Sequence, residues 1–221
     1  MVLLLHGIPS INPPDPGDTG YPGLARRFAA EGFAAAWIDM RAARKSPGFF
    51  SIEGWVRDAL AALYAATSLD GAQGLPVAIV GSSAGGAVAV EVARRGAAVK
   101  ALCLLAAPAE WLSFAGDPAE GLHRITAEAG MAVAPAVLED PTEWAAEFES
   151  VQTELSIGQV GCPVLILHGT EDDVVPVDHA RRIADRSARS ELRIIEGAGH
   201  QLRRQEQVVT MVFDFLRRQL T

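Results

Sequence analysis

This sequence predicts an α/β fold: a doubly wound, parallel sheet of about six strands between two layers of helices. Three observations carry that expectation. Short apolar runs alternate with helix-patterned stretches along nearly all of the 221 residues, the signature of repeated strand-helix-strand units. The composition, 49% hydrophobic and 21% charged, suits one globular domain with a sizeable core. A glycine-rich turn carrying a serine, "IVGSSAGGAVAV" at residues 79–90, sits where an apolar strand stops and an alanine-rich helix begins.

The elements run in order along the chain. The first strand is Val2 to Leu5, in "MVLLLHGIP"; no basic segment precedes it and a polar His-Gly comes after it, so it is neither a signal peptide nor a membrane span. "PSINPPDPGDTGYPG" is rich in Pro and Gly and must be irregular before a helix over Gly20 to Ala30. Strands at Phe33 to Ile38 and Pro76 to Val80 flank a helix from Ser51 to Ser68. A helix from Ala84 to Arg95 leads to a strand from Val99 to Leu105. Ala106 to Ile157 then carries no strand. There "WAAEFESVQTEL" sets Trp144, Phe148, Val151 and Leu155 at helical spacing with acids between them, so helices are expected to be inserted between two strands. Taken alone, such a stripe reads as one that packs on the core. The alternation resumes with a strand at Val164 to Leu167, a helix from Asp178 to Ala188, a strand at Leu192 to Ile195 and a last helix from Gln201 to the end.

A formal charge of −8 argues against nucleic acid, because neutralising phosphates needs clustered Lys and Arg. A small-molecule partner fits better. Cys103 and Cys162 lie in or beside apolar runs and form no CxxC pair, so they are expected to be buried free thiols in a reducing, cytoplasmic compartment.

The turn at residues 79–90 fails as a dinucleotide fingerprint, because the position two after Gly81 is Ser83 and no acid ends the next strand. It fails as a phosphate loop too, since no Lys comes after its last glycine. What fits is GxSxG with Gly81, Ser83 and Gly85 in frame, a strained strand-to-helix turn that lifts Ser83 above the sheet edge. A serine hydroxyl is a poor nucleophile at neutral pH, so it requires a histidine base and an orienting carboxylate from other strand ends. "LILHGTEDDVVP" supplies Glu171, Asp172 and Asp173, and "IIEGAGHQL" supplies His200. Singly, such acids read as a solvated turn or helix cap, and such a histidine as structural. Jointly, three partners at three strand ends point to nucleophilic catalysis. The five histidines show no metal-binding spacing, and no metal or cofactor is expected.

Together the first His-Gly, GSSAG, "PVLILHGTEDDVVP" and "EGAGH" resemble the α/β-hydrolase superfamily, especially its small esterase and lipase-like members, over essentially the whole chain. The resemblance implies a nucleophile at Ser83 and a base at His200. It puts the acid at Asp172, because His168-Gly169 leads and Val175-Pro176 closes that motif, leaving Asp173 as a neighbour. It implies an oxyanion hole from the backbone amides of Ile8 and Ala84, with His6 serving loop structure. The implied reaction is two-step acyl transfer on a small-molecule carboxylic ester with a small to medium apolar acyl group. Thioesters, amides, and binding of a hydrophobic ligand without turnover stay open. Typical members carry two strands before the His-Gly strand on which this chain starts, which implies spatial order 2-1-3-4-5-6. It also implies an exposed apolar edge at Phe33 to Ile38, to be covered by a loop or paired in a homo-oligomer. "DMRAARKSPG" resembles a family turn whose glycines are replaced by Ala42 and Arg44. Residues 106–157 are expected to form a helical lid within a single domain spanning 1–221, with Trp111, Phe114, Trp144 and Phe148 walling the acyl site.

Overall fold

The computed structural model describes residues 1–12, 15–111, 114 and 116–220. Its sheet contains β1 (Val2–Leu5), β2 (Ala35–Trp37), β3 (Ala78–Ser82), β4 (Ala101–Leu105), β5 (Val164–Gly169) and β6 (Ser190–Ile195). The spatial order is β2-β1-β3-β4-β5-β6, and every pairing is parallel, as the sequence predicts. Among the described residues the helices are α1 (Gly20–Ala30), α2 (Ile52–Thr67), α3 (Ala84–Arg94), α4 (Pro118–His123), α5 (Pro135–Glu139), α6 (Thr142–Ser150), α7 (Thr153–Ser156), α8 (Asp178–Arg186) and α9 (Glu206–Leu220). None is long and apolar enough to cross a membrane.

Successive strand residues point to opposite faces, and both faces are covered, so the central strands are apolar throughout. Val2, Leu4, Val80, Cys103, Leu165 and Leu167 meet Leu24 and Phe28 of α1 and Val212 and Phe215 of α9. Leu3, Leu5, Ile79, Leu102, Leu104 and Ile166 meet Trp55 of α2, Val88 of α3 and Ile183 of α8 on the other side. Burying each such side chain contributes about 1.5–3 kcal/mol. Both cysteines are free and buried.

Most strand and helix boundaries shift by one or two residues from the sequence expectation, and three larger differences have a packing reason. β2 has three residues, because Phe33 is drawn into an aromatic group with Phe28 and Phe213, at 5.9 and 6.1 Å between ring centroids, instead of extending the strand. Among the described residues this short strand pairs with β1 alone, and its last residue, Trp37, keeps 42% of its surface exposed. At the other end, α9 starts at Glu206 after a 3-10 turn over Leu202–Arg204. The chain bends there because Arg203 donates two hydrogen bonds to Asp18, at 2.8 and 2.5 Å. The stripe predicted through "WAAEFESVQTEL" is also broken. α6 stops at Ser150, Gln152 turns its amide back to the Phe148 carbonyl at 2.9 Å, and Leu155 ends up 62% exposed.

The turn at residues 39–46 keeps left-handed backbone at Ala42 (φ 62°) and Arg44 (φ 52°) although neither is glycine. Such a conformation costs roughly 1–2 kcal/mol per residue, and side chains hold it. Arg41 pairs with Asp58 at 2.7 Å, Arg44 with Asp39 at 2.9 Å, and the Trp55 indole donates to the Arg41 carbonyl at 2.9 Å.

Candidate active site

Because all six strands run the same way, the segments leaving β1, β3, β4, β5 and β6 gather along one edge of the sheet, where open α/β folds bind ligands. Ser83 occupies the turn between β3 and α3 at φ 52° and ψ −126°, a strained conformation for a residue with a side chain. Two glycines allow the close packing that holds it. A Cβ on Gly81 would stand 2.3 Å from the Gly85 carbonyl oxygen, and one on Gly85 would stand 2.5 Å from that of His6. The chain leaving β1 is equally close: a Cβ on Gly7 would lie 2.8 Å from the Ser83 Cβ and 3.3 Å from its Oγ. Gly7 and Ile8 therefore run beside the hydroxyl. Ala84 opens α3, so its N–H has no acceptor within the helix. The Ile8 N–H likewise has no backbone acceptor among the described residues.

The loops after β5 and β6 are bonded together. Thr170 donates its N–H to the Ile195 carbonyl at 3.1 Å, Glu171 to that of Ala198 at 2.9 Å, and Gly197 to the Thr170 hydroxyl at 2.9 Å. This pairing sets Asp172 against His200, whose Nδ1 lies 3.0 and 2.9 Å from Asp172 Oδ1 and Oδ2. A carboxylate only accepts, so His200 carries its proton on Nδ1 and leaves Nε2 as an acceptor. Asp172 Oδ1 also accepts from the N–H groups of Val174 and Val175, at 3.0 and 2.8 Å. Burial alone would raise this carboxyl, but the donors from His168, His200 and Val175 outweigh it and hold Asp172 well below the usual carboxylate range. The neighbouring Asp173 is exposed. In this resting arrangement the Ser83 hydroxyl has no hydrogen bond among the described residues.

Three further histidines surround the site. His6 donates from Nδ1 to the Gly7 carbonyl at 2.7 Å and accepts the Met40 N–H on Nε2 at 2.9 Å. It thereby ties the end of β1 to the loop after β2. Burial pushes His6 down to about 4 from an ordinary 6.5. Its folded value is the lower one, so its contribution to stability is complete above pH 6.5 and is lost as pH falls through 4. We expect urea titrations to show a loss of up to about 3 kcal/mol across that window, and His6→Gln to flatten the slope. An unchanged slope in that variant would assign the loss elsewhere. His168 is fully buried, with Nε2 2.7 Å from the Val175 carbonyl and 3.2 Å from Asp172 Oδ2. His179, lowered by burial, accepts the Ala109 N–H on Nδ1 at 3.0 Å.

Ser83 and His200 line one cavity of about 990 Å³. Its wall includes Ile8, Pro9 and Ile11 after β1, Pro108, Trp111, Phe114, Ile125 and Ala129 from the segment between β4 and β5, and Asp173 and Val174 after β5. Ile125 belongs to a π-helical turn, Arg124–Glu128, whose Glu128 carbonyl accepts the Ile11 N–H at 3.2 Å. Of the four aromatic residues expected on the acyl wall, the structure brings only Trp111 and Phe114 to this cavity. Trp144 and Phe148 pack inward instead, 6.3 and 6.2 Å from the Phe50 ring. Phe148 backs the wall from behind, 5.6 Å from Trp111 and 4.9 Å from Phe114. α6 turns them inward because Ser51, which caps α2, donates its hydroxyl to Glu147 at 2.6 Å. Part of the predicted lid lies outside the described residues, namely 112, 113 and 115.

Sequence reasoning singled out Ser83, Asp172 and His200 but passed over the contact of His168 with Asp172 and the clamp from Asp18 to Arg203. The first had a faint signal, the four-residue spacing inside "HGTED". The second joins residues 185 apart in the chain and had none.

Solved structures share this architecture at low identity. Est1E from Butyrivibrio proteoclasticus, with ferulic acid bound, matches with a TM-score of 0.73 and 20% identity over 99% of this chain and 88% of that one. A Pyrococcus furiosus esterase matches with a TM-score of 0.72 and 20% identity over 100% and 83%. A Paleococcus ferrophilus monoacylglycerol lipase matches with a TM-score of 0.69 and 19% identity over 97% and 93%. No curated protein matches the chain. The profile of the prolyl oligopeptidase family matches residues 53–221, from the second residue of α2 through every element after it, so the chain belongs to that family within the α/β-hydrolase superfamily.

Proposed function

We propose that this protein is a serine hydrolase that cleaves small-molecule carboxylic esters with small to medium apolar acyl groups. The observation that carries the reading is the placement of a strained Ser83 and an Asp172-bonded His200 in the wall of one cavity. In the first step His200 Nε2 takes the Ser83 proton as Oγ attacks the ester carbonyl. The N–H groups of Ile8 and Ala84 hold the oxyanion, and Asp172 fixes the imidazole tautomer and steadies the imidazolium. The alcohol leaves with the proton, and water releases the acid by the same route. The hydrogen bond from Ser83 to His200 closes when substrate binds, as is common for catalytic contacts that are open at rest. Two free, buried cysteines suit a reducing, cytoplasmic setting. The family name favours a second reading on the same residues, amide cleavage. Mass mapping after fluorophosphonate treatment tests the first reading, and turnover of matched aryl ester, thioester and anilide separates the two. Modification of Ser83 with ester turnover supports the proposal; modification confined to another serine overturns it.

The wall residues make a second expectation. If two acyl methylenes reach Trp111 and Phe114, burial at about 0.8 kcal/mol each favours butyrate or hexanoate over acetate esters by roughly tenfold in kcat/KM. Phe114→Ala flattens this preference. Phe148→Ala, in the second layer, lowers Tm and leaves the ranking intact. The opposite pattern would move the acyl site away from this wall.

A further inference from the structure

We propose that His168 is a positioning residue for Asp172, one that fixes the direction of the carboxylate and limits how much of its negative charge reaches His200. The proposal rests on the hydrolase reading of the same site. His168 is the penultimate residue of β5, is fully buried, and is not part of the cavity wall, so it does not touch substrate. Its Nε2 lies 2.7 Å from the Val175 carbonyl oxygen, which can only accept, so the ring proton sits on Nε2. Nδ1 is buried without a partner among the described residues. The ring therefore offers one N–H, aimed at Val175 and passing 3.2 Å from Asp172 Oδ2.

Both carboxylate oxygens depend on this arrangement. Oδ2 lies 3.2 Å from the His168 Nε2, within the field of the N–H that is aimed at Val175. Oδ1 is held through Val175, whose carbonyl takes the His168 proton while its own N–H donates to Oδ1 at 2.8 Å. Two imidazoles thus flank one carboxylate with different duties: His200 opens to the cavity, and His168 anchors from behind. A ring that merely filled space would be better apolar, because its orphan Nδ1 is desolvated with no bond in return. The other titratable groups around the pair are His179 on α8, which is coupled electrostatically to His168, and Asp173 and Glu110 in the cavity wall.

Removing the His168 donor concentrates the carboxylate charge on His200 and stabilises its imidazolium, so the acid limb of kcat/KM moves to higher pH. The experiment is the pH profile of aryl butyrate hydrolysis for the wild type, His168→Leu, His168→Asn and His168→Gln. Tm and fluorophosphonate labelling are measured beside it. Leu removes the donor, and Asn, too short to reach Val175, does so in a polar variant should Leu fail to fold. We expect either change to lower kcat about tenfold with little effect on KM, and to raise the acid limb by about half a pH unit to one unit. Gln, whose amide nitrogen can stand where Nε2 stood, restores the limb and most of kcat. An unmoved limb in a folded donor-less variant that is still labelled at Ser83 overturns the positioning role, as does an equal shift with Gln. A wild type that is not labelled at Ser83 removes the hydrolase reading and the role of His168 with it.

Discussion

Ser83→Ala is expected to lower kcat/KM for an aryl ester by about 10³-fold or more and to abolish fluorophosphonate labelling, with the fold intact. The size comes from the proposed role: without Oγ there is no acyl-enzyme, and the rate that persists is the one the Ile8 and Ala84 amides give to attack by water. The fold survives because Ser83 is held through its backbone, its N–H donating to the Leu105 carbonyl at 2.8 Å and its carbonyl accepting the Gly86 N–H at 2.8 Å. Alanine at φ 52° carries the same backbone strain as serine. Ser82 is the internal control. It is adjacent in sequence, but its side chain meets the buried Tyr21, so Ser82→Ala should leave turnover within a few-fold and labelling unchanged. Loss of labelling in Ser82→Ala with retention in Ser83→Ala would put the nucleophile one residue early.

The frame of this site was legible in the sequence because strand direction and glycine spacing are local signals. Apolar runs separated by helical patterns dictate a parallel sheet, and a parallel sheet brings the segments after β1, β3, β5 and β6 to one edge. The spacing of Gly81, Ser83 and Gly85 then has one steric reading, since a Cβ at either glycine would meet backbone. The aromatic wall was not legible for the opposite reason. Trp111, Phe114, Trp144 and Phe148 are alike in residue type and region, and which of them reach the cavity depends on where α6 docks. That docking rests on a bond from Ser51 to Glu147, residues 96 apart. The length of β2 was lost in the same way, because Phe33 takes its position from Phe28 and Phe213. The turn at Ala42 and Arg44 teaches the converse: contacts from Arg41, Asp58 and Trp55 impose a glycine-like backbone that the residues themselves disfavour.

Asp172→Asn should cost about 10³- to 10⁴-fold in kcat, and Asp173→Asn no more than about threefold. The two acids are neighbours in sequence but sit in different settings. Asp172 faces the His200 Nδ1 at 2.9 Å and receives two backbone N–H groups, whereas Asp173 is an exposed part of the cavity wall. An asparagine at 172 must keep its oxygen on the Val174 and Val175 amides, because its NH₂ cannot accept from them. The NH₂ then turns toward Nδ1 and stabilises the tautomer with the proton on Nε2, which cannot take a proton from Ser83. The defect is one of tautomer rather than of folding, so labelling by fluorophosphonate should slow in proportion to kcat while Tm changes little. Raising the pH should not recover the rate, because the lost function is an acceptor on Nε2 and not a deprotonation. Equal losses at 172 and 173, or the reverse ranking, would assign the orienting acid to Asp173 and would require its loop to turn toward His200 when substrate binds.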